Sequence, residues 1–128
     1  MYKSVILIIL FIAFSCNRKN VKHGDVDVKF DYKKLDVGEI KYKSLLKCMF
    51  KFENVGDNRI QIESVNPSCT CISAKWTKTI IFPNDTGNVI IMPNTGRLGD
   101  FKEAVVIYYK NIEFTDTLYI SGSLVYEY

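Results

Sequence analysis

From Asp25 onward the apolar and polar residues alternate with a period of two, which marks half-buried strands rather than helices. Val26, Val28, Phe30 and Tyr32 define a first strand, and Asp36-Val37-Gly38-Glu39 reads as a turn. Leu46, Cys48, Phe50 and Phe52 then share one face, with Lys47, Lys51 and Glu53 on the other, the clearest half-buried strand of the chain. Asn54-Val55-Gly56-Asp57-Asn58 is predicted to turn the chain, with Gly56 supplying a positive φ. Ile60 and Ile62 start the next strand, which Pro67 ends because proline has no amide hydrogen to give a ladder.

Ile72, Ala74 and Trp76 alternate with Ser73, Lys75 and Thr77, and the cluster Pro83 to Gly87 turns into a strand holding Val89 and Ile91. Pro93 to Gly99 forms a wider loop. Phe101, Val105, Ile107 and Tyr109 pair across Lys110-Asn111 with a strand over Phe114 to Ile120, and Gly122, Leu124 and Val125 finish the chain. About seven short strands with turn signals between them specify an all-β, immunoglobulin-like β-sandwich. Its core is predicted at inward positions such as Phe50, Phe52, Ile62, Trp76, Val105 and Ile107.

The first residues break this pattern. Lys3 precedes an unbroken apolar run, Val5 to Phe14, about half the ~20 residues a spanning helix needs. A basic start, a short apolar stretch and a small residue before the cut describe an export signal over residues 1–15. Ala13-Phe14-Ser15-Cys16 resembles the bacterial lipobox, with Ala13 where Leu is usual and a bulky Phe14. The expected product carries lipid on Cys16, a polar tether over residues 16–24 and a folded domain over 25–128. The tether, fully extended, reaches at most about 25 to 30 Å, so the domain stays near its membrane. No acidic cluster follows Cys16, which favours the periplasmic side of a Gram-negative cell envelope.

Charge adds little. The net charge of +3 is spread over scattered lysines, with no stripe to track phosphates, so no nucleic-acid partner is expected. No carboxylate pair, no phosphate loop before a helix and no base beside a nucleophile announce catalysis. The single His, His23, falls in the tether. The expectation is therefore not an enzyme, and no cofactor.

The order of the motifs resembles a known family. Phe50-x-Phe52-x-Asn54-x-Gly56-Asp57 precedes an Ile-x-Ile strand, and Ser68-Cys69-x-Cys71 follows. Then come Pro83 with its turn, Asn94-Thr95-Gly96-Arg97-x-Gly99-x-Phe101, and a closing Leu118-x-Ile120-x-Gly122. This is similar to the bacterial domain-of-unknown-function family DUF1573, a Hydin-like, immunoglobulin-fold module of exported lipoproteins, over about residues 28 to 125. The resemblance implies a fold and a compartment but no reaction. Where the family reads Ser-Cys-Gly-Cys-Thr, Thr70 stands for the Gly and Ile72 for the last Thr. A β-branched Thr70 is poorly suited to positive φ, so a relaxed thiol loop is expected. The family's Pro-Gly turn is Pro83-Asn84 here, and Asn accepts left-handed backbone well.

The thiols are the one candidate site. With Cys16 lipidated, Cys48, Cys69 and Cys71 remain, an odd number in an oxidising compartment. A Cys69–Cys71 bond would span about 6.6 Å in an extended strand, near the upper limit for a disulfide unless the loop bends. Cys48 can instead be envisaged meeting either of them across the sandwich. Structural thiols, a redox disulfide, and a soft-metal site for copper(I) or zinc all remain open. The preferred reading is a non-catalytic binding or structural module with protein partners. Its working surfaces are the Asn54–Asn58 loop, the Pro93–Gly99 loop, or a sheet edge open to a partner strand.

Overall fold

The computed structural model of the chain describes residues 26–127. The export signal, Cys16, the tether and His23 lie outside the described residues. Within them are eight strands and no helix: β1 (Val28–Phe30), β2 (Lys34–Lys41), β3 (Cys48–Asn54), β4 (Ile62–Pro67), β5 (Ile72–Trp76), β6 (Thr86–Pro93), β7 (Gly99–Tyr109) and β8 (Thr115–Val125). They form two four-stranded sheets, ordered β1-β3-β6-β5 and β2-β8-β7-β4. All pairings are antiparallel except β2 with β8.

The alternation that predicts the strands also builds the core. Phe50, Val89 and Ile91 face inward from one sheet and Val105, Ile107 and Leu118 from the other, all fully buried. Phe30 and Phe52 meet with ring centroids 5.1 Å apart, within the range of favourable tilted aromatic pairs. Trp76 departs from its predicted place as a core anchor. It packs against the core from the edge strand β5, only half-buried, with the Lys78 ammonium 3.2 Å from the centre of its ring.

Two predicted turns are something else. Asp36 to Glu39 lies inside β2, where the register with β8 shifts between Asp36 and Glu39 and Gly38 has φ +67°. The polar, glycine-containing stretch is a bulge in an edge strand rather than a reversal. Gly56 has no positive φ. Its amide instead donates to the Asn54 side chain at 3.1 Å and to the Asp27 carbonyl at 3.1 Å. Asn84 does take the left-handed conformation its sequence suggests, at φ 69°.

The connections gather at two ends. The loops after β3, β5 and β7 close one end, where the chain also comes in through Asp27 beside Val55. The loops after β2, β4 and β6 close the other, with the last residues of β8. The Asn54–Asn58 and Pro93–Gly99 loops therefore sit at opposite ends and do not form one surface.

Candidate functional site

At the second end Ser68 to Cys71 carries the chain from β4 in one sheet to β5 in the other. Pro67 stops the ladder and Ser68 takes over its polar work. The Ser68 amide donates to the Ala104 carbonyl at 2.8 Å, its hydroxyl donates to Glu103 at 2.7 Å, and that hydroxyl accepts from the Ala104 amide at 3.1 Å. The next residues curl tightly, with the Cys71 amide 3.1 Å from the Cys69 sulfur. Cys69 and Cys71 are disulfide-bonded with Cα atoms 5.1 Å apart, shorter than the roughly 6.6 Å of an extended strand. Bending makes the small ring possible. Thr70 is not in the left-handed region, so the loop closes without a positive φ at its centre.

The Pro93–Gly99 loop locks onto this turn. The Asn94 amide donates to the Cys71 carbonyl at 2.8 Å, and the Asn94 side chain accepts from the Gly96 amide at 2.8 Å. Thr95 is buried, and its hydroxyl donates to the Ser44 carbonyl at 2.5 Å. Between the two loops lies a cleft of about 360 Å³ bordered by Cys71, Asn94, Arg97, Leu98, Phe101 and Glu103. Arg97 and Leu98 stand exposed at its rim. The cleft thus joins an apolar wall, a cation and a carboxylate beside an oxidised thiol pair.

The third thiol is elsewhere. Cys48 is free and buried, facing the core from β3 with β6 between it and β5. Burial raises the pKa of its thiol, which keeps it protonated and unreactive. The group that does reach the pair is Glu103, whose carboxylate lies 4.0 Å from the Cys71 sulfur. One donor atom from each of Cys69, Cys71 and Glu103 falls within a 4.8 Å spread. As a disulfide the two sulfurs do not serve as thiolate ligands. Reduced, they and the carboxylate would offer three donors, one short of a closed tetrahedral zinc set. Glu103 escaped the sequence reading because only the β4–β7 pairing brings it beside Ser68.

At the opposite end the Asn54–Asn58 loop is scaffold. Asn54 is fully buried; its amide group donates to the Asn58 carbonyl at 2.7 Å and the Ile81 carbonyl at 3.1 Å, while its oxygen accepts from Gly56. A buried side chain so fully partnered is a structural knot. Asp116 is another. Buried in β8, it accepts from the Tyr109 hydroxyl at 2.7 Å and from the Lys33 ammonium at 2.6 Å. Strand pairing turns the carboxylate inward.

Three of the four sheet edges offer a partner strand little purchase; the fourth, β5, is the outer strand of its sheet and pairs with β6 in regular register. β1 has three residues, β2 is bulged, and β4 ends in Pro67 with a register shift at Ile62 to Ser64. Short, irregular edges resist strand addition.

A sandwich of two four-stranded sheets defines an immunoglobulin-like β-sandwich fold. Residues 28–124 match the family described as a protein of unknown function, DUF1573, and the chain belongs to that family. Among solved structures it is similar to a protein of unknown function from Porphyromonas gingivalis W83, at 16% identity and a TM-score of 0.66, over 77% of this chain and 47% of that one. The chain thus spans about half the length of that relative. It is also similar to the ASH/PapD-like domain of human CEP192 (11% identity, TM-score 0.64, 80% of this chain and 88% of that one). A third likeness, to the VesB protease of Vibrio cholerae, has 12% identity and a TM-score of 0.60 over 75% of this chain and 31% of the protease. These likenesses establish the fold. No curated protein matches the sequence.

Proposed function

We propose that this is a non-catalytic binding module, held at the envelope membrane by lipid on Cys16, that takes a protein partner at its disulfide end. The observation that carries the reading is how the motif residues divide. Asn54, Gly87, Thr95 and Gly122 are consumed by the scaffold: the buried side chains of Asn54 and Thr95 bond backbone carbonyls, and the two glycines sit where a Cβ would meet Phe52 at 2.5 Å and Val37 at 2.6 Å. Cys71, Arg97 and Leu98 border a cleft between the loops of the disulfide end. A concave site with an apolar wall and a few convergent polar groups suits a peptide segment with an acidic side chain for Arg97.

The test has two parts in intact cells. Radiolabelled palmitate should enter the native chain and not Cys16→Ala. A photo-reactive residue placed by substitution at Leu98 should yield a defined protein adduct that Arg97→Glu removes, while the same group at Glu63 on β4 yields none. Equal labelling at both places would sink the proposed surface.

The cluster of Cys69, Cys71 and Glu103 favours a second reading, a thiol-based redox or metal-binding role. Under the first reading Cys69→Ser with Cys71→Ser leaves the Leu98 adduct intact. Under the second it abolishes function.

A further inference from the structure

We infer that the end of the sandwich opposite the disulfide is a bilayer-contacting surface, so that the domain stands on its membrane through loop tips as well as through its anchor. The inference rests on the Cys16 anchor of the reading above. Four large apolar side chains at this end remain in water: Val55 after β3, Ile80 and Phe82 after β5, and Phe114 after β7, each between 40% and 52% exposed. Nothing in the fold requires that exposure, since Ile60 and Ile81 on the same loops are 2% exposed.

The loops that carry them are tied together. Ile60 and Ile81 exchange backbone hydrogen bonds at 2.9 and 2.8 Å, Asn84 donates to the Asn54 carbonyl at 2.7 Å, and Lys110 donates to the Gln61 carbonyl at 2.9 Å. Ring centroids of Phe114 and Tyr109 stack 6.0 Å apart. The apolar tips therefore belong to one stiff platform. Solvent-facing aromatic and branched side chains on such a platform suit the boundary between headgroups and acyl chains.

Chain geometry says which end faces the membrane. The backbone comes in at Asp27, which accepts hydrogen bonds from the Val55 and Gly56 amides on the same platform. From Cys16 to Asp27 the chain can stretch at most about 36 to 40 Å. The eleven residues of β7 already span about 33 Å between the two ends. Placing the disulfide end on the bilayer would use nearly the whole reach, whereas placing the Phe82 end there uses almost none of it. The contact is apolar rather than electrostatic, because Arg59, Lys78 and Lys110 on these loops are matched by Asp57, Asp85 and Glu113. The disulfide end is then held out toward its partner.

The experiment uses the full-length lipidated protein in vesicles of phosphatidylethanolamine and phosphatidylglycerol, some carrying brominated acyl chains. Phe82→Trp and Leu98→Trp are each made in a Trp76→Phe background. The indole of Phe82→Trp should lose most of its emission to brominated lipid and be shielded from acrylamide, at low and high salt alike. That of Leu98→Trp should show the reverse. Equal lipid quenching at the two positions, or none at Phe82→Trp while the protein still floats with the vesicles, would overturn the inference and leave the anchor standing. An intact mass lacking the lipid increment, with no flotation, would instead remove the anchor and the inference with it. A Phe82→Trp indole shielded from acrylamide in native membranes but untouched by brominated lipid would assign the platform to a protein and also overturn the inference.

Discussion

The two ends of the sandwich are built from the same kinds of residue and use them differently. At the Phe82 end the polar groups are turned inward: Asn54 and Asp116 are buried and partnered, and the apolar groups Ile80, Phe82 and Phe114 are left outside. At the disulfide end Thr95 is buried, while Arg97 is exposed along with the apolar Leu45 and Leu98, and the Cys69–Cys71 turn borders a cleft. Polar residues stabilise when they are buried and satisfied, and they recognise when they are left at a concave surface. On the proposed function, the difference puts structure at one end and selectivity at the other.

Breaking the first end should cost most. Asn54→Leu leaves the Asn58 carbonyl without its partner and takes one of two partners from the Ile81 carbonyl and the Gly56 amide, and should lower unfolding free energy by about 3 kcal/mol, the upper end of the range for one orphaned group. A urea titration of the full chain reads this directly. Gly87→Ala comes next: its Cβ would lie 2.5 Å from Phe52 and 2.8 Å from Ile81, an overpacking worth about 2 kcal/mol.

Alkali attacks the same end. Burial, and then the Asp116 carboxylate beside the hydroxyl, hold Tyr109 well above the ordinary tyrosine range. The folded state therefore keeps a proton that the unfolded state releases from about pH 10, so the contribution is full below that pH and declines above it. The urea midpoint should fall on the alkaline side, and Tyr109→Phe should flatten that fall. An unchanged alkaline limb would show that Tyr109 is not the group responsible.

The disulfide end should tolerate change. Its ring is so small that Cys69→Ser with Cys71→Ser should cost at most about 2 kcal/mol. Arg97→Glu, on an exposed loop, should stay within about 0.5 kcal/mol of the native stability. A large loss from either would make this end scaffold too and erase the contrast.

Much of the fold was legible because alternation reports burial directly. Phe50, Phe52, Ile62, Val105 and Ile107 are all in the core. Bulges and strand-to-strand partners were not legible, since they depend on neighbours far along the chain. Gly38 looked like a turn because nothing local distinguishes a reversal from a bulge stabilised by β8. Nothing local marks Asp116 as buried, since its partner Lys33 is 83 residues away. Of the thiols, the Cys69–Cys71 spacing was informative once the loop could bend. Cys48 was not, because its period-two position says only that it faces inward. Glu103 enters the site solely through the pairing of β4 with β7.

The most direct test places one photo-reactive residue at Leu98 and, separately, at Phe82 in the same cells, and identifies what each captures. The account predicts a protein adduct from Leu98 and lipid adducts from Phe82. A protein adduct from Phe82 with none from Leu98 would contradict it, because the recognising end would then be the one assigned to the membrane.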